Sequence, residues 1–372
     1  MCDEELGLSA AFRQDFPAYN LSTDNLVSFK KTSAPYFRAA KKNHSKPDRC
    51  LICGEEMPKF CLSHTVPQFC LRAIAVDGKL LTSSAVVGGN LVEDKVGIGK
   101  AATFKQVCRR CDSEFFKLYE TPETLLTYPS SQVLGQIAAK NLLREVSKAR
   151  QDIGLKTALG DGVPPMIRAI ADVRTIDAAE DEKAFKTALR IGKNPKSSNA
   201  FHVVFYTVLP YTAPFVFQQM ISPLADFTGN VINYSYNLNP KYRIEPLHVC
   251  VLPTKGCTVV LLFRSEKAKR YREFERQFNA LSEAEKLQSI VKLVFAYSED
   301  VLISPGIGAG VLKDENLISL ARMNSIYLGF GESSDDYKRT TATAAMQDYA
   351  IDNLPNPPEL LSREYALATS AF

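Results

Sequence analysis

Two Cys-x-x-Cys pairs constrain this chain more than any other feature: Cys50-Leu51-Ile52-Cys53 and Cys108-Arg109-Arg110-Cys111, separated by 54 residues. Four thiolates at such spacing close a tetrahedral zinc site, which fixes two distant stretches of backbone against each other. The chain carries nine cysteines in 372 residues. An odd count, in a chain long enough to bury a core without staples, argues against a disulfide framework and for metal ligation in a reducing compartment. The zinc is expected to be structural, holding the fold and doing no catalysis. The opening MCDEELGL is acidic and lacks the basic and apolar regions of an export signal. The longest apolar stretch, Phe201 to Phe217, is broken by His202, Thr207, Pro210, Thr212 and Pro214. A soluble, cytoplasmic protein with no membrane partner is therefore expected.

Length argues for two domains at roughly 150 residues each, and 45% hydrophobic with 23% charged residues is ordinary for a folded chain. Residues 1–49 read as a basic arm, in which Lys30, Lys31, Arg38, Lys41, Lys42, Lys46 and Arg49 meet a single acid, Asp48. From Lys30 to Lys117 the balance is +8 in a chain whose net charge is +4. Such a segment can track a phosphate backbone, or it can be a solvated arm; charge alone does not choose. Residues 50–155 form the zinc-binding unit, with short strands at 60–62 and 79–87 and an amphipathic helix from Ser130 to about Arg150, whose Lys140, Arg144 and Lys148 lie apart from its apolar face. Glycines 154, 160 and 162, Pro164 and Pro165, and then the polar run 192–199, mark the boundary. Residues 195–330 read as an α+β unit: strands at 201–208, 230–238, 247–253 and 257–263, then helices, the second opened by a capping box at Ser282 and Glu285. Residues 331–372 suit a partly ordered extension.

Between the knuckles lies Cys61-Leu62-Ser63-His64-Thr65-Val66-Pro67-Gln68, a strand end bearing one histidine, and Asp112 follows Cys111 directly at a helix start. Over about residues 50–120 this resembles the HNH, or ββα-metal, endonucleases, which have a treble-clef core. LSHTVPQF, GKAATFKQVCRRCDSEFFKLYE and IAAKNLLRE together resemble, more specifically, a bacterial HNH-like family with an SHT-P motif, to whose pattern the SED-V-SP stretch at 298–305 is also similar. The resemblance implies phosphodiester hydrolysis of nucleic acid, DNA above all, and, at family level, a role in defence against foreign DNA. His64 would activate water as general base, and Asp112 would present a carboxylate to Mg²⁺ or Mn²⁺. Ser63 stands where that pattern often carries an acid, and is either a neutral second ligand or an orienting group. Arg109 and Arg110, with Lys41 and Lys42, are the candidate phosphate contacts, against solvated charge. A second copy of the chain or a defence-system protein is the expected protein partner.

Other residues carry blander expectations. Glu120, two helical turns beyond Asp112, lies about 12 Å away along a continuous helix and so does not share its metal without a bend. Cys61 and Cys70 are expected to be buried thiols, and His202 and His248 core histidines. The glycine runs at 97–99 and 306–310 complete neither a P-loop nor a dinucleotide turn. The alternative to a nuclease is a zinc-stabilised nucleic-acid-binding or assembly module without cleavage, for which Ser63 is the main sequence argument.

Overall fold

Alternation of side chains along four strands decides the architecture. The computed structural model describes residues 35, 39–40, 47–83, 91–160, 165–196, 200–234, 239, 241–298, 300–326 and 347–368. Lys41, Lys42 and most of the basic arm lie outside the described residues. In chain order, strand β1 (Ser63–His64) precedes helix α1 (Gln68–Ile74), β2 (Lys79–Ser83), β3 (Val92–Gly97) and β4 (Thr103–Phe104). Helices α2 (Arg109–Phe115), α3 (Pro122–Leu125), α4 (Ser131–Leu159) and α5 (Pro165–Lys193) follow. Then come β5 (Phe201–Leu209), β6 (Phe215–Ile221), β7 (Leu247–Pro253), β8 (Thr258–Ser265), α6 (Arg272–Ala280), α7 (Glu283–Tyr297), β9 (Leu302–Ile303) and α8 (Glu315–Ile326).

The chain is mixed α+β. Among the described residues seven strands form one sheet in the order β3-β2-β9-β6-β7-β8-β5, every pairing antiparallel. Strands β7 and β8 are buried on both faces. Val249, Val251, Val260 and Leu262 join a core with Phe274 and Phe278 of α6 and Ile290 and Val294 of α7. Their neighbours Cys250, Leu252, Leu261 and Phe263 join a second core with Leu134, Ile137 and Leu142 of α4 and Leu71 of α1. The sheet is thus the middle of three layers. Strands β2 and β3 come from the segment between the cysteine knuckles, so the units expected at 50–155 and 195–330 share one sheet.

Several elements differ from the sequence expectation. Among the described residues the first strand is Ser63–His64 rather than 60–62. The expected strand at 230–238 reduces, among the described residues, to a single bridge between Ala225 and Val231. The Gly- and Pro-rich stretch near 160 interrupts a helical pair instead of ending a helical region. Ser130 caps α4, its hydroxyl accepting from the Val133 N–H at 3.3 Å, and Pro165 is the first residue of α5. The two helices run antiparallel in close contact: a Cβ on Gly135 would stand 2.6 Å from the Gly192 nitrogen. Ser282 and Glu285 form the expected capping box of α7. Residues 347–368, within the expected extension, bury Tyr349, Ile351, Leu354, Leu360 and Leu361 against the first core. Among the described residues no helix is long and apolar enough to cross a membrane.

Candidate functional site

The four knuckle cysteines converge. Their sulfurs all lie within 4.8 Å of one another, close to the edge of about 3.8 Å that a tetrahedron with Zn–S near 2.3 Å requires. Backbone N–H groups point at the sulfurs, Cys108 N–H to Cys50 Sγ at 3.3 Å and Cys111 N–H to Cys108 Sγ at 3.5 Å. Gly54 takes a left-handed φ of 75° after the first knuckle and donates its N–H to the Cys50 carbonyl at 2.8 Å, a turn that a Cβ would strain. Burial and then the neighbouring sulfurs push the Cys111 thiol up, a penalty that a dication among the four removes. The donor set suits zinc.

The knuckles hold β1 against β4, pairing Ser63 with Phe104 and His64 with Thr103. Adjacent residues on a strand face opposite ways, and these two enter different surroundings. The His64 ring meets the Ile98 carbonyl through Nε2 at 3.0 Å. A carbonyl only accepts, so Nε2 bears the proton and Nδ1 keeps its lone pair, with the Gln68 amide 3.4 Å away. Burial lowers the His64 pKa against the raising effect of that carbonyl, with smaller contributions from Lys140, Asp112 and Arg72. The ring is a neutral, half-buried base.

Ser63 faces inward. Its hydroxyl donates to Asp112 Oδ1 at 2.5 Å, and the Lys140 ammonium, from α4, donates to both Ser63 Oγ and Asp112 Oδ1 at 3.0 Å. The same ammonium reaches Glu120 Oε1 at 3.2 Å and lies 3.6 Å from the centre of the Phe116 ring. Helix α2 ends at Phe115, and the following turn folds back, so Glu120 returns to the Asp112 site that a straight helix would have carried it past. The Lys140 side chain is 1% exposed, against 18% for Asp112 and 33% for Glu120. Burial opposes ionisation of Asp112, but Lys140 and the Ser63 hydroxyl outweigh it and hold the carboxyl below its usual range. Burial pushes Glu120 up in spite of Lys140. Cys61 is only partly buried and donates its thiol to Asp112 Oδ2 at 3.5 Å; burial and then the Asp112 charge push it up to about 11.

No family model matches the chain, nor does any curated protein or solved structure. The site stands on its own residues. Arg109 and Arg110 open α2 and are exposed, but Arg110 is paired with Glu55 at 3.2 Å. Cys70 is buried, as expected. His248 is a core histidine, stacked on Phe263 with centroids 4.5 Å apart and bonded through Nδ1 to the Asn141 amide at 3.1 Å. His202 is not: it is half-exposed beside Glu275, whose carboxylate lies 3.4 Å from Nε2.

Sequence reasoning missed Lys140. Its signal was the stripe Lys140, Arg144, Lys148, three cations at four-residue spacing with a single acid, Glu145, among the intervening residues. Such a stripe needs partners from elsewhere in the fold. Asp300, in the SED-V-SP stretch, is the partner of the other two: Arg144 at 2.7 Å and Lys148 at 2.6 Å.

Proposed function

We propose that residues 50–120 form a treble-clef, HNH-type centre hydrolysing phosphodiester bonds of nucleic acid, DNA first, within a cytoplasmic defence role. The observation that carries this reading is the His64 ring: one nitrogen is anchored on the Ile98 carbonyl, and the other, an acceptor, meets a long contact of 3.4 Å from the Gln68 amide. A water at Nδ1 passes its proton to the ring as its oxygen attacks phosphorus, and the bond to the leaving sugar oxygen breaks. Arg72, bonded to Gln68 Oε1 at 3.0 Å and close enough for its charge to affect His64, is exposed and suited to hold the phosphate. Arg109, exposed at the start of α2, and, from the sequence, Arg110, Lys41 and Lys42 are the further candidate phosphate contacts.

The Mg²⁺ or Mn²⁺ expected at Asp112 does not fit this site while the Lys140 ammonium occupies it. One carboxylate oxygen already takes the Lys140 ammonium and the Ser63 hydroxyl, and the other faces the Cys61 thiol. No step is therefore routed through a divalent ion. Zinc-loaded protein should nick supercoiled plasmid, and His64→Ala should slow nicking by about 10²–10⁴-fold with far-UV dichroism and zinc content unchanged. Unchanged nicking by that variant would remove the mechanism. The second reading, a module that binds nucleic acid without cutting, is favoured by the same engagement of Asp112. It predicts binding that weakens steeply with salt and no nicking by the wild type.

A further inference from the structure

We propose that Lys140 is the resident cation of this centre, filling with its ammonium the place that a divalent metal was expected to take beside Asp112. The inference deepens the hydrolytic reading and rests on it for the identity of the site. An ammonium has three N–H donors, and Lys140 has three acceptors: Ser63 Oγ at 3.0 Å, Asp112 Oδ1 at 3.0 Å and Glu120 Oε1 at 3.2 Å. The Phe116 ring face, 3.6 Å away, covers the remaining side. At 1% exposure no water is needed to complete this shell.

Such a shell is oxygen-rich and carries two carboxylates, which is what a hard dication seeks. It is closed to one while the lysine is seated, because a metal at Asp112 would sit against a buried positive charge that has nowhere to be solvated. Helix α4 holds the lysine there. The next residue, Asn141, is tied to His248 at 3.1 Å and to Gln218 at 3.2 Å, so the helix cannot withdraw Lys140 without breaking buried bonds to β6 and β7. Lys140 is thus a positioning residue: it fixes Asp112 against Ser63 of the strand that carries His64, and supplies the positive charge itself.

The test is Mn²⁺ uptake by zinc-loaded, full-length protein, read from the electron paramagnetic resonance signal of free Mn²⁺ in the absence of nucleic acid. Wild type and Asp112→Asn should leave the same free signal. Lys140→Ser should bind one additional Mn²⁺ per chain, and Lys140→Ser/Asp112→Asn should lose it. The proposal is overturned if wild type takes up an equivalent of Mn²⁺ that Asp112→Asn does not, or if folded, zinc-loaded Lys140→Ser takes up no more than wild type. The comparison of wild type with Asp112→Asn decides the point should Lys140→Ser fail to hold zinc. Because no cleavage is read, a failed Mn²⁺ result leaves hydrolysis at His64 standing, and an uncut plasmid leaves the Mn²⁺ result standing.

Discussion

Two imidazoles in this chain are kept neutral by burial and differ in what reaches the ring nitrogen. At His64 the acceptor nitrogen meets only a long contact from the Gln68 amide. Its pKa lies below the ordinary value, so the base form persists as pH falls past 6.5. The nicking rate should rise with pH to a plateau with its midpoint below 6.5, and a midpoint at 7 or above would show that another group is the base. At His248 the nitrogen is occupied by Asn141, and burial lowers the pKa to about 3. The unfolded chain takes up this proton near 6.5 and the folded chain refuses it until about 3. The folded state therefore binds fewer protons across that window. Stability contributed by the neutral ring is complete above pH 6.5 and falls by about 1.4 kcal/mol per unit as pH drops through it. Denaturant midpoints of wild type and His248→Gln between pH 7 and 5 should show that slope shrinking in the variant. His64 was legible because a motif surrounds it. Lys140 was not, because its three partners come from β1, α2 and the turn after it, and their meeting is a tertiary fact.

At the scale of elements, local signals were read well where the chain's own neighbours decide, and badly where burial decides. The capping box of α7 is such a local signal: Ser282 and Glu285 satisfy each other's backbone groups. Ser282→Ala should cost about 1 kcal/mol. Strands β5, β7 and β8 announced themselves by apolar β-branched runs. Strand β6 did not, since Gln218 and Gln219 sit in the middle of FVFQQMI and are buried; the Gln218 amide donates to Asn141 of α4 at 3.2 Å, and the Gln219 amide donates to Asp300 before β9 at 3.4 Å and accepts from the Met220 N–H at 3.2 Å. Helix α5 was hidden by a Pro and Gly cluster that reads as a boundary, although proline suits the first turn of a helix. What joins α4 to α5 is equally silent in the sequence, two glycines 57 positions apart. A methyl on Gly135 meets the Gly192 backbone at 2.6 Å, which no side-chain rotation relieves. Gly135→Ala should therefore destabilise by about 1–3 kcal/mol, read by urea unfolding, as overpacking does elsewhere. A neutral result would mean the helices separate freely.

For the whole molecule, the position of the zinc knuckles relative to the sheet sets how it unfolds. The chain leaves the first knuckle, forms β1 and α1, supplies β2 and β3 to one edge of the seven-stranded sheet, and returns through β4 to the second knuckle. The second core runs without a break from Cys50 and Phe116 to Leu261 and Phe263. Asp300 also ties α4 to β6, its carboxyl held well below the usual range because Arg144 and Lys148 overcome the cost of burial. Asp300→Asn removes the carboxylate charge shared by Arg144 and Lys148 and should destabilise the fold by about 3 kcal/mol, read by urea unfolding. A zinc ion held by the four cysteines would tether what the sheet already joins. Structural zinc in small domains contributes about 10–16 kcal/mol of apparent binding free energy at neutral pH, so its removal cannot be confined to residues 50–120 if the core is continuous. Thermal unfolding after treatment with a strong chelator should show one cooperative transition, moved to lower temperature, with near-UV signals from the tyrosines of both halves lost together. Two separated transitions, the lower one sensitive to zinc and the upper one not, would mean that β2 and β3 dock on an independently stable α+β unit, and that the metal organises only the reactive segment.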